Sequence, residues 1–234
     1  MKKNCHLGIG FFTISLAFCF GIIGWALQDK FQPTQLEIPN AHWEKIFFRG
    51  INDVTKLSGL EELRKTNHFT NDLEIRIWRV SDEAEAVIIK RIGETWSAIY
   101  IKSDSYTAAT ETTVTMLNAP KSGWNSLWNK IVEGGVLTLP DASQINCSVA
   151  QIDGMGYVVE TSYQKKYRTY MYSMSFLKCD EAKKLERIGD IIAEEFDDGK
   201  GVCKRTEWIP CARLNREKIK KSSYKNYESR NTTN

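Results

Sequence analysis

The residues best suited to covalent chemistry are four cysteines that follow an apolar N-terminal segment: Cys147, Cys179, Cys203 and Cys211. An even number of cysteines in an exported chain predicts two disulfides, and four cysteines allow three pairings. Cys203–Cys211 is the simplest local pair, and Cys147–Cys179 would then tie two more distant segments together. The sequence indicates no zinc site, because it has no C-x-x-C motif and no histidine after His68.

Carboxylates are the second group that could support a reaction. A glycoside hydrolase needs two of them at a set distance in a cleft, and spacing along the chain does not reveal that distance. Asp141 follows a proline and Asp153 precedes a glycine, so both are typical of turns or caps. No Gly-rich phosphate loop is present, and no cofactor is predicted. An exported hydrolase is the alternative function, with a site drawn from Glu74, Asp82, Glu85, Asp141, Asp153 and Glu160.

The clearest binding pattern is a predicted hairpin over residues 156–173, in which tyrosines alternate with basic residues. Aromatic rings stack on sugars or bases, and the cations neutralise anions. The same pattern also fits cross-strand packing, since strands favour aromatic residues. The hairpin residues predicted to bind a ligand are Tyr163, Lys165, Lys166, Tyr167, Arg168 and Tyr170.

A second predicted contact surface is the basic C-terminal tail. Residues 200–234 carry ten Lys or Arg against three Glu, and their polar, weakly periodic composition predicts partial disorder. We expect the tail to contact an anionic envelope surface or an acidic protein through Lys218, Lys220 and Lys221. A solvated tail without a partner is the alternative. Nucleic acid is not expected, because export removes the chain from it.

The N-terminal segment predicts where the protein acts. Lys2 and Lys3 precede 21 uncharged residues, 7–27, which is the order of an export signal and long enough to span a bilayer. A Gly-Trp-Ala tripeptide at residues 24–26 is a weak cleavage site, so a retained single-pass anchor is slightly favoured over a signal peptide. The charge bias predicts a body that faces outside the cytoplasm, or a secreted or periplasmic protein if the leader is cleaved.

Periodicity predicts the strands that would position these residues. Residues 73–80 alternate apolar and polar side chains, and residues 84–91 and 95–102 continue the pattern across a Gly-Glu turn, which predicts an antiparallel meander. Residues 42–48 fit either a strand or one turn of helix.

The helices follow from capping and spacing. Ser58, with Glu61 three residues later, fits the capping box of a short helix. Ser122 is predicted to cap a helix on which Trp124 and Trp128 share an apolar face, a spacing that favours core residues over a carbohydrate platform. The last helix is predicted from about Asp180 to Phe196.

These elements predict an α+β fold. We expect an antiparallel sheet of five to seven strands packed with two amphipathic helices and preceded by an N-terminal apolar helix. The predicted organisation is a signal peptide or membrane anchor (residues 1–27), a linker (28–40), a single α+β domain (41–199) and the basic tail (200–234).

Several short segments within residues 73–196 resemble segments of other proteins. They are Leu73-Glu-Ile-Arg-Ile-Trp78, Gly123-Trp-Asn-Ser-Leu-Trp128, Leu137-Thr-Leu-Pro-Asp141 and Tyr157-Val-Val-Glu160. This half of the chain resembles uncharacterised exported bacterial proteins of unknown function. The resemblance implies an exported single domain and brings no active site. The sequence therefore favours a non-enzymatic exported or membrane-anchored binding or accessory protein of unknown specificity.

Overall fold

The structure is a computed structural model that describes residues 35–65, 71–146, 156–173 and 179–196. The apolar N-terminal segment, most of the linker, Cys147, Cys203, Cys211 and the basic tail lie outside these ranges. None of the helices inside them combines the length and the apolar character that a membrane crossing requires.

A mixed seven-stranded sheet forms the centre of the described part, which confirms the α+β class. The strands are β1 (Gln35–Glu37), β2 (Asn71–Val80), β3 (Ala84–Ile92), β4 (Thr95–Ser103), β5 (Thr112–Leu117), β6 (Gly156–Tyr163) and β7 (Lys166–Ser173). Their order across the sheet is β1-β7-β6-β2-β3-β4-β5. The described helices are α1 (His42–Leu57), α2 (Trp124–Glu133) and α3 (Asp180–Phe196), with short 3-10 turns at Leu63–Lys65 and Ala142–Gln144.

The fold prediction needs correction in the sheet and at α1. The sheet is not wholly antiparallel, because β1 pairs with β7 in parallel. The segment read as a strand or one helical turn is the start of α1, and Ser58 ends that helix as its C-cap instead of beginning another. Gly50 interrupts the apolar pattern of α1, yet a Cβ there would lie 2.8 Å from the ring of Tyr106. Glycine therefore makes room for that ring at some cost in helix propensity.

The helix α1, which was not predicted, adds an apolar layer on the second face of the sheet. On one face, Trp78 and Ile88 pack with residues of α1, namely Phe47, Phe48, Ile51 and Val54. On the other face, Ile75, Ile77 and Ile89 pack with α2 and α3 through Leu127, Ile131, Leu185, Ile188 and Ile192. Every residue from Leu73 to Trp78 is consequently buried, including the polar members of the alternating pattern.

A carboxylate at the end of α3 fixes the start of α2. The backbone N–H and the hydroxyl of Ser122 each donate to Glu195, both at 2.7 Å, and Lys130 pairs with the same carboxylate. Burial acts to raise the pKa of Glu195, but Lys130 and Ser122 hold it below its ordinary value. The N-cap of α2 is Gly123, with φ 84°, and not Ser122 as predicted.

Candidate ligand-binding surface

Five aromatic side chains form a continuous row at one end of the sheet, here called the aromatic row: Phe196, Trp124, Trp96, Trp128 and Tyr163. Trp96 and Trp124 stack with ring centroids 5.8 Å apart and planes 5° from parallel. Trp128 lies 6.1 Å from Trp96 and 5.8 Å from Tyr163, and Phe196 lies 6.1 Å from Trp124. The rings contact one another from the end of α3 to the end of β6.

Four different elements supply these rings. Trp124 and Trp128 are one helical turn apart on α2, so they project on the same side of that helix. Trp96 begins β4 just after the turn that joins it to β3, and Tyr163 is the last residue of β6. The bond between Ser122 and Glu195 holds the start of α2 against the end of α3, which brings Trp124 to Phe196.

The row is neither fully buried nor fully exposed. Trp96, Trp124, Trp128 and Tyr163 are partly exposed and pack their inner atoms against the core, whereas Phe196 is buried and closes one end. Trp124 and Trp128 were predicted to be core residues, and one side of each ring does pack against the core. The other side is accessible. The accessible side is large, rigid and apolar, with hydrogen-bonding groups at the edges of Trp and Tyr, as is common at contact surfaces.

Positive charge lies beside the row. The guanidinium of Arg91, opposite Trp96 in the β3–β4 pairing, is 5.3 Å from the centroid of the Trp96 ring. Lys165 is exposed in the turn that follows Tyr163. Exposed Glu94 lies two positions before Trp96, and Glu195, which precedes Phe196, is bound by Ser122 and Lys130. Partly exposed rings with cations beside them suit a ligand that has both apolar faces and negative charges.

The structure separates the predicted hairpin residues into two groups. Tyr167 and Tyr170 are completely buried, and their hydroxyls donate to Glu160 and to the carbonyl of Val136. Arg168 is 7 % exposed and donates to the carbonyls of Leu137 and Leu139. These three side chains pack inside the protein, as expected if the tyrosine pattern reflects cross-strand packing, and they are not accessible to a ligand.

The accessible hairpin residues are Tyr163, Lys165 and Lys166. Tyr163 belongs to the aromatic row, and Lys165 lies next to it. Lys166 forms a 2.6 Å ion pair with Glu37 of β1 and so helps to hold that strand. The predicted tail residues Lys218, Lys220 and Lys221 lie outside the described residues.

The hairpin turn is strained at two residues. Gln164 and Lys165 have φ of 50° and 63°, the conformation of a two-residue type I′ turn, in which Asn-Gly is the preferred pair. A left-handed conformation costs an ordinary residue about 1–2 kcal/mol. Backbone strain is concentrated at binding sites in many proteins, and here it places a lysine beside the aromatic row.

Replacing Lys165 with glycine is therefore expected to raise the free energy of unfolding by about 1 kcal/mol, because glycine adopts positive φ without strain. The measurement is urea denaturation of the purified full chain. Lys165→Ala is the matched control, since it removes the same charge and retains the strain. A Lys165→Gly protein less stable than Lys165→Ala would contradict the prediction.

Among the described residues, the acidic side chains considered for a hydrolase do not line one common cleft. Glu74 and Glu160 lie on the α1 face of the sheet, and both are 2 % exposed. Glu85 is on the opposite face, where Tyr100 and Arg79 bind it. Asp141 is buried as the cap of a 3-10 turn and accepts the N–H of Met171. Asp82 is exposed in a turn, and Asp153 lies outside the described residues.

Glu160 is the most unusual of these carboxylates. Its two oxygens accept hydrogen bonds from Trp78 Nε1 (2.8 Å) and the Tyr167 hydroxyl (3.0 Å). Burial raises the pKa of Glu160, and the charge of Arg76, opposite it in the β2–β6 pairing, offsets part of that effect. A raised carboxyl pKa is one mark of a general acid. Here the group is buried and both of its oxygens are bonded to protein side chains, so its position indicates a structural role.

The raised pKa of Glu160 predicts a pH dependence of stability. The pKa of Glu160 is higher in the folded state than in the unfolded state. Its contribution to stability is therefore complete below the unfolded-state pKa and is lost as pH rises through the folded-state pKa. We expect Glu160→Gln, which resembles the protonated form, to gain stability relative to the wild type as pH rises through that interval. Urea denaturation at a series of pH values measures this, with exposed Glu94→Gln as the control. A constant difference at all pH values would contradict it.

Metal binding finds no support in the described ranges, where no three His, Cys, Asp or Glu side chains come together as ligands. Cys179 is buried immediately before α3. The other three predicted disulfide cysteines lie outside those ranges, so the pairing stays a prediction.

Two residues of the site, Trp96 and Arg91, were not predicted from the sequence. Trp96 and Arg91 flank the β3–β4 turn and read as ordinary strand residues. Their pairing could have been predicted from the turn. A two-residue turn between two strands fixes which residues lie opposite each other, and here it places Arg91 opposite Trp96. Their contact with α2 depends on tertiary packing.

Comparison of the chain with protein-family models, with curated proteins and with solved structures gives no match.

Proposed function

We propose that this protein is a non-enzymatic, exported or membrane-anchored binding protein, and that the aromatic row with Arg91 and Lys165 is its ligand-contact surface. The observation that carries the proposal is the contact of three partly exposed tryptophans and Tyr163 in one uninterrupted row. Rigid aromatic side chains lose little conformational entropy on binding, and such residues dominate the energy of many contact surfaces.

The ligand that suits this surface is a chain of sugar rings bearing negative charges, such as an anionic glycan of the cell envelope. Sugar rings present C–H groups whose weak positive charge matches the negative face of an aromatic ring. Arg91 and the exposed Lys165 would pair with the anionic groups. The apolar leader supports this class of ligand, because it predicts that the domain faces the envelope.

The distribution of carboxylates supports a binding protein over the alternative hydrolase. Glu74, Glu85 and Glu160 are buried and bonded to protein groups, and they lie on both faces of the sheet. A hydrolase of two carboxylates needs both in one cleft, about 5–10 Å apart. The aromatic row itself contains no carboxylate.

The test is retention of the purified full chain on immobilised polygalacturonate, a polymer of sugar rings with one carboxylate each. The methyl ester of that polymer retains the rings and lacks the charges. We expect retention on the acid and weaker retention on the ester, with no release of sugar fragments. A chain truncated after Arg213 separates the row from the basic tail. Loss of all retention on truncation, or release of fragments, would contradict the proposal.

A further inference from the structure

The outer side of β5 is an open sheet edge in the part of the chain that the structure describes. β5 pairs with β4 on its inner side over residues 112–117, and it stands last in the strand order. An edge strand presents a row of backbone N–H and C=O groups that another strand can bind.

The β5 edge lacks the features that normally prevent such pairing. Its sequence, Thr-Thr-Val-Thr-Met-Leu, has no charged residue and no proline, and its pairing with β4 has no bulge. Proteins usually protect edges with charges, prolines, bulges or very short strands. The opposite edge follows that rule, because β1 has three residues and carries Glu37 in ion pairs with Lys166 and Arg168.

Apolar surface accompanies the open edge. Met116 is 49 % exposed, and it lies on the α1 face of the sheet, opposite Ile99. Val114 on the same face is only partly buried. A strand added beside β5 would cover Met116 and Val114 as well as satisfy the backbone groups.

We infer that the β5 edge binds the β5 edge of a second copy of this chain, antiparallel, about a two-fold axis at Thr115. In this register Val114 lies opposite the partner's Met116, so apolar side chains meet on the α1 face. Thr115 lies opposite the partner's Thr115, and Thr–Thr pairs are favourable across antiparallel strands. The absence of charge removes the repulsion that a charged strand would have against its own copy, and a two-fold pairing closes the assembly at two chains.

The interface is small, so the dimer is expected to be weak. A six-residue strand pair buries less than the roughly 800 Å² per partner of a standard interface. A covalent trap that reports register is therefore the appropriate measurement.

The experiment compares Thr115→Cys with Thr113→Cys in the full chain under mild oxidation, read by non-reducing electrophoresis. Residues directly opposite in antiparallel strands have Cα atoms about 4.5–5.5 Å apart, within the range of about 4.4–6.8 Å that a disulfide spans. Two residues from the axis, a cysteine and its copy are about 13 Å apart. We expect a band at twice the 26.8 kDa chain mass for Thr115→Cys and none above the wild-type background for Thr113→Cys. Equal cross-linking of both, or of neither, would overturn the inference.

A second variant tests the interface without cysteine. Met116→Lys places a charge on the edge and is expected to reduce the Thr115→Cys cross-link at least tenfold. Ile92→Lys is the matched control, because Ile92 is 45 % exposed and lies outside β5. Circular dichroism verifies that both variants are folded. Equal cross-linking in folded Met116→Lys and Ile92→Lys proteins would overturn the role of the edge.

Discussion

Replacing Arg76 with methionine is expected to lower the free energy of unfolding by about 3–5 kcal/mol, because the change removes the buried cation that pairs with Glu74 and offsets the burial of Glu160. Arg76 is 4 % exposed. Its guanidinium lies 2.7–2.8 Å from Glu74 Oε1 and donates to the carbonyl of Glu61 at 2.9 Å. It also offsets the effect of burial on Glu160. Methionine fills a similar volume, so the loss is electrostatic and not a cavity.

The same variant has a pH signature that a packing defect would lack. Burial acts to raise the pKa of Glu74, but Arg76 and Lys90 hold it below its ordinary value. Without Arg76, Glu74 and Glu160 protonate more readily, so the loss of stability is expected to shrink as pH falls. Arg187→Met is the control, because Arg187 and Glu194 are both more than 60 % exposed and such pairs contribute about 0–1 kcal/mol. A pH-independent loss would contradict this account.

Replacing Trp128 with alanine is expected to weaken binding of polygalacturonate about 10- to 100-fold. Trp128 contacts both Trp96 and Tyr163, so its removal breaks the row in the middle. Stacking of a nucleobase on one aromatic ring is worth about 1–3 kcal/mol. We take the same range for the face of a sugar ring, and 1.4 kcal/mol is one factor of ten in affinity. Equilibrium titration of the full chain measures the change.

Trp43→Ala is the matched control for that variant. Trp43 is also partly buried, but it lies on α1 and packs against Phe47, away from the row. Both variants lose aromatic packing, whereas Trp128→Ala alone is expected to lose affinity. An equal loss of affinity in the two variants would show that stability and not contact governs binding.

The local elements of this fold follow from the sequence, and its long-range arrangement does not. Period-two alternation predicts β2 to β4, and helical spacing predicts the apolar faces of α2 and α3. The strand β1 has three residues next to Pro39, which is too short for a periodic signal. Its parallel pairing with β7 joins residues more than 120 positions apart.

The helix α1 was not predicted, and it changes the surroundings of Glu74 and Arg76. Period-two alternation of apolar and polar side chains, as in residues 73–80, is typical of strands with one face in solvent. α1 covers that face, and the two residues become a buried ion pair. The interruption at Gly50 hid the helix, and its reason is the tertiary contact with Tyr106.

The candidate site was predicted in part. Tyr163 and Lys165 came from the tyrosine and lysine pattern, but the same pattern also selected Tyr167 and Tyr170, which are buried. Alternation along a strand separates the two faces of a sheet, and it does not indicate which face a helix covers. The meeting of Trp96 with α2 depends on packing between distant segments, for which no local signal exists.

The most direct test of the central claim is titration of the full chain with polygalacturonate, monitored by intrinsic tryptophan fluorescence. A ligand that covers Trp96, Trp124 and Trp128 changes the solvent exposure of their rings. We expect a saturable spectral shift that is retained after truncation at Arg213 and greatly reduced in Trp128→Ala. Binding without a spectral shift, or a shift unchanged in Trp128→Ala, would contradict the assignment of the aromatic row as the ligand-contact surface.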